Sequence, residues 1–66
     1  MDKLFYRPKE AATVLGMSRT AVFRLIKTGE LASVKRDGYR LVPRWALQDF
    51  ATALETEAGL TREGAA

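Results

Sequence analysis

The sequence predicts a small, mainly α domain carrying one β-hairpin, in the order helix, turn, helix, hairpin, helix. Three observations predict it. Apolar residues recur at helical spacing in three stretches, and Gly16 and Gly29 close the first two. Between the second and third stretches the period shortens to that of strands, around an Asp37-Gly38 pair. With 66 residues, no Cys and no His, the chain is one domain that neither a disulfide nor a Cys/His zinc site can hold together.

Tyr6-Arg7-Pro8-Lys9-Glu10 opens the first helix. Pro8 suits the first helical position, where its missing N–H costs nothing, and Glu10 lies in the acid-favouring first turn, with Arg7 at the N-cap. Ala11, Ala12, Val14 and Leu15 form its apolar side, and Gly16 ends it with Met17 folded back toward Ala11 and Ala12. Ser18 caps a second helix over Arg19–Thr28, whose buried stripe is Val22, Leu25 and Ile26. Leu31–Arg36 and Tyr39–Val42 are the hairpin strands, joined through a two-residue type I′ turn and leaning on the helices through Leu31, Val34 and Leu41. Pro43 starts a third helix over Arg44–Leu54, with Leu47, Phe50 and Leu54 facing the core beside Ala46 and Ala53. Gly59-Leu60 suits a closing turn. Residues 1–58 are expected to form the domain and 59–66 a flexible tail.

This order is a winged helix-turn-helix, with the hairpin as a two-stranded wing. With Val22 and Ile26 inward, the second helix presents Arg19, Thr20, Phe23, Arg24 and Lys27, behind an N-terminus capped by Ser18. An α-helix fits the major groove of B-DNA, Arg grips guanine with two hydrogen bonds, and helix N-termini bind phosphate. Phe23 is expected to pack sideways on the hairpin, its edge toward the DNA backbone or a thymine methyl. Lys35, Arg36, Tyr39 and Arg40 flank the wing tip, where a basic hairpin can follow phosphates or enter the minor groove. Arg7, Lys9 and Arg44 are candidate phosphate contacts. Trp45 is expected in the core or against the wing, with contact to a neighbouring protein molecule as the alternative.

Charge divides along the chain. Residues 1–44 hold ten basic groups and four acidic ones, a net +6, while residues 45–66 hold one against four, a net −3. A polyanion on one side and solvent on the other account for the split. The usual nucleophilic triads need a His or Cys, and Asp49, Glu55 and Glu57 are solvated charges on a helix, so no enzyme is expected, and no cofactor or metal. No apolar run reaches the roughly 20 residues of a membrane span, and the N-terminus lacks a signal peptide's apolar stretch, which points to the cytoplasm.

Tyr6–Ala12, Leu15-Gly16-Met17-Ser18-Arg19, Phe23–Leu31 with its Gly29-Glu30-Leu31, and Tyr39-Arg40-Leu41 before Pro43 resemble the excisionase-like branch of the MerR-type winged helix-turn-helix domains, over about residues 4–54. The chain departs from that family's pattern in having Arg7 where Thr or Ser often caps the first helix, and in having no long C-terminal coiled coil or effector domain. The resemblance implies a recombination directionality factor. Copies would load side by side on repeated sites in double-stranded DNA, bend it, and favour excision by a tyrosine recombinase (integrase). A small transcriptional regulator at promoter DNA would use the same surface, and a protein-interaction module is the reading of a different class.

Overall fold

The computed structural model describes residues 3–60. Two residues, Phe5–Tyr6, form strand β1; helix α1 spans Pro8–Leu15, helix α2 Arg19–Thr28, strands β2 and β3 Val34–Arg36 and Tyr39–Pro43, and helix α3 Arg44–Glu57. This is a winged helix-turn-helix whose sheet has three strands, in the antiparallel order β1-β3-β2. The sequence reading supplied only the two wing strands. A two-residue strand has no periodicity of its own, and β1 exists because β3 is long enough to pair on both edges.

The caps follow their local chemistry. Arg7 is extended, its side chain makes no capping bond, and its backbone N–H donates to Glu10 Oε1 at 2.9 Å. Glu10 also accepts from Lys3 Nζ in an exposed ion pair. Lys3 first, and the Arg7 N–H second, hold the Glu10 carboxyl below the usual carboxylate range. Gly16 and Gly59 take positive φ and close α1 and α3 in the same way: Met17 N–H donates to Ala12 O at 2.9 Å, and Leu60 N–H to Glu55 O at 2.8 Å. Helix α3 therefore runs three residues past its predicted end at Leu54, to Glu57, and the expected turn at Gly59-Leu60 closes it there. Of the tail expected over residues 59–66, Gly59 and Leu60 belong to this closing turn, and residues 61–66 lie outside the described residues.

Tyr6, Ala11, Ala12, Val22, Leu31, Val42, Ala46 and Leu47 are the buried core, with Leu15, Met17, Leu25, Ile26 and Phe50 packed partly against it. Strand phase corrects the hairpin reading. The Asp37-Gly38 turn sets Val34 opposite Leu41, so the two share a face. The inward face belongs instead to Val42, which pairs with the buried Tyr6. Val34 is accordingly 47% exposed and Leu41 only partly covered, while Leu31 is buried as expected. Val14, Ala53 and Leu54 also face solvent rather than the core. The C-terminal half of α3 runs past the short helices that would have covered it. Trp45 is 58% exposed rather than packed, because Ala46 and Leu47 hold the inward positions of that turn.

Two stability predictions follow from this core. Leu31→Ala costs about 2–5 kcal/mol in denaturant unfolding, whereas Val34→Ala costs less than about 1 kcal/mol. Because the fold depresses the Glu10 pKa, its contribution is present above the unfolded carboxylate value and fades as pH falls through the lowered folded one. The unfolding midpoints of wild type and Glu10→Gln should therefore differ at neutral pH and converge in acid.

Candidate nucleic-acid interface

Helix α2 is positioned by its buried side. Val22 is fully inside, and Leu25 and Ile26 pack partly against the core. At 100° per residue this turns Arg19, Thr20, Phe23, Arg24 and Lys27 to solvent, and all five are exposed. Ser18 Oγ accepts the Ala21 N–H at 3.1 Å, so the start of the helix is capped as predicted. Among the described residues, no carboxylate pairs with Arg19, Arg24 or Lys27.

The wing is built on its turn. Asp37 and Gly38 have φ of 51° and 84°, both positive, as a type I′ hairpin requires. Arg36 then pairs with Tyr39 and Lys35 with Arg40 across the hairpin, and all four side chains are exposed. Arg40 reaches Ser33 Oγ at 3.4 Å, and Arg36 lies 4.0 Å from Asp37 in a weak surface pair.

A cleft of about 320 Å³ lies between α2 and the wing. It gathers Arg7, Lys9, Arg19, Lys35 and Arg40, five cations from four elements and their flanks, around the aromatic side chains of Phe23 and Tyr39. Phe23, 48% exposed, thus stands on the same cleft as the hairpin residues instead of being covered by them. Thr20, Arg24 and Lys27 lie on the outer face of α2, Ser18 serves as its cap, and Arg36 is at the wing tip. Arg44 is partly covered at the base of α3, its backbone N–H bonded to Leu4 O at 2.8 Å.

The sequence reading missed one contact that organises this cleft. The Arg7 guanidinium lies over the Tyr39 ring, 4.0 Å from its centroid, bracing the wing against the start of α1. The signal that could have found it is the Arg at a cap position that usually holds a hydroxyl. Pro8 and Gly38 complete the cleft wall and were read only as backbone devices. Among the described residues, no group of three or more His, Cys, Asp or Glu is placed to hold a metal, and no helix is long and apolar enough to cross a membrane.

Comparison with known proteins agrees with this geometry. The family model described as "Helix-turn-helix domain" matches residues 5–54. A protein named "Probable excisionase", from Saccharopolyspora erythraea, is 41% identical over 53 residues, which are 80% of this chain and 54% of that protein. The chain thus spans about half the length of this curated relative. No solved structure matches the chain.

The stack of Arg7 on Tyr39 predicts that Arg7→Ala frees the wing. Amide hydrogen exchange at residues 35–40 should quicken in that variant while exchange at Val22 and Leu47 stays unchanged.

Proposed function

The chain belongs to the helix-turn-helix domain family, and on that premise we propose that it binds double-stranded DNA, with α2 in the major groove and the wing in the adjacent minor groove. The observation that carries this reading is the cleft between them. When a helix lies in one groove and a hairpin in the next, the sugar–phosphate strand separating the grooves must pass between the two elements. A cleft lined by five cations and two aromatic rings suits such a strand: the cations face phosphate oxygens and the rings face deoxyribose. Arg24, Thr20 and Lys27, on the outer face of α2, are then the side chains directed at base edges. Ser18 and the first N–H groups of α2 meet phosphate, as do Arg36 at the wing tip and Arg44 beside the sheet.

The likeness to a protein named as an excisionase supports a finer reading. In it the chain is an architectural protein of the excisionase type, allied to the MerR-type winged domains. Copies load on adjacent sites, bend the duplex, and so favour a recombinase's excision complex. The reaction itself belongs to that recombinase.

With about five phosphates neutralised per monomer, log K for a short duplex should fall against log salt with a slope of about −4 to −5. Arg24→Ala should cost about 1–3 kcal/mol on the preferred sequence and relax the preference for it. Arg36→Ala should weaken all duplexes alike and flatten the salt slope. Duplex affinity that is absent or indifferent to salt would refute the proposal, and equal effects of both variants on specific and random DNA would refute the assignment of α2 as the reader.

A further inference from the structure

The cleft between α2 and the wing carries more than charge. Phe23 is 48% and Tyr39 38% exposed, and both line it, with no carboxylate among the residues around them. The two rings are held differently. Tyr39 has the Arg7 guanidinium over one face, whereas Phe23 has no cation or second ring stacked on it among the described residues. Arg40 is engaged with Ser33 Oγ. Lys9, Arg19 and Lys35 have no carboxylate partner among the described residues. The cleft therefore offers an uncovered aromatic platform beside three uncommitted cations.

A duplex makes little use of that platform. Its bases are paired and stacked, so a strand passing through the cleft presents only sugars and phosphates. An aliphatic side chain would cover deoxyribose as well as a ring does. A flat aromatic surface gains most from another flat π face, and only an unpaired base brings one. We propose that the cleft also binds single-stranded DNA, with one unpaired base stacked on Phe23 and the phosphates on either side of it held by Lys9, Arg19 and Lys35.

Size and the layout of charge agree with that ligand. At about 320 Å³ the cleft is at the small end of ligand-sized sites, matching one nucleotide rather than a base pair. Its cations come from the start of α1, from α2 and from the wing. A strand with phosphate on both sides of each base therefore meets charge on more than one wall, whereas a free mononucleotide is charged at one end only. Stacking tolerates any base, so the selection is for unpaired bases and not for a sequence. Because the same cleft is assigned to the backbone of a duplex, the two forms of DNA exclude one another there. The inference rests on the nucleic-acid reading of this cleft, but the stacking contact does not require α2 in a major groove.

Fluorescence anisotropy with two labelled strands of roughly 12 nucleotides tests this, one an oligothymidylate and the other abasic at every position. The two probes carry the same phosphates, so any difference in affinity belongs to the bases. Oligothymidylate should bind at least about fivefold tighter, the gain expected of a single stacked base. Phe23→Leu keeps an apolar side chain but removes the π face; it should abolish that preference and leave the abasic strand bound as by wild type. Phe23→Tyr should retain the preference. Phe23 is half exposed, so neither change opens the core, and circular dichroism checks that both variants fold. Equal binding of the two strands by wild type, a preference that survives Phe23→Leu, or an equal loss on both strands in that variant would each overturn the proposal. So would displacement of oligothymidylate by thymidine monophosphate at matched nucleotide concentration. Loss of the base preference with duplex binding intact removes this inference alone, whereas loss of duplex binding with the preference intact removes only the duplex reading.

Discussion

The antiparallel pairing of Tyr6 with Val42 is the constraint on which the arrangement depends. Both residues are buried, one just ahead of α1 and the other just ahead of α3. Their pairing makes β3 a shared strand, tied on one edge to the core and on the other to β2. A hairpin with strands of three and five residues would be marginal in isolation. Anchored this way it becomes a rigid extension of the helical body. The same pairing delivers Arg7, the next residue, over Tyr39, and so fixes the cleft between helix and wing.

Most of the architecture was readable in the sequence because it rests on local chemistry. Pro8, Gly16, Ser18, Gly29 and the Asp37-Gly38 turn each demand a particular backbone state, and the structure places each in it. What escaped was set by tertiary packing. Strand β1 is two residues long and has no pattern to read. Val34 and Leu41 look as apolar as Val42, and only the pairing of Val42 with Tyr6 decides which face turns inward. Leu54 and Trp45 have the composition of core residues, but a chain of this size cannot cover a fourteen-residue helix on every side. At the candidate site, the exposed side chains of α2 and the wing could be named from periodicity. Their convergence with Arg7 and Lys9 on one cleft could not, because it depends on how the wing is carried.

The uneven charge of the sequence becomes a division of surfaces in three dimensions. The cations of the first two thirds line the cleft and the outer face of α2, and the carboxylates Glu30 and Glu57 border an apolar groove behind it. Helix α2 stands between these regions, buried along one stripe and cationic along the opposite one.

Chemical-shift mapping of the 15N-labelled protein with a short duplex tests the central claim most directly. The account predicts that the perturbed amides form one continuous surface: the start and outer face of α2, residues 35–40 of the wing, and the chain around Arg7, with the C-terminal half of α3 unmoved. Perturbations centred on Phe50–Glu57, or confined to either the wing or α2 alone, would contradict it.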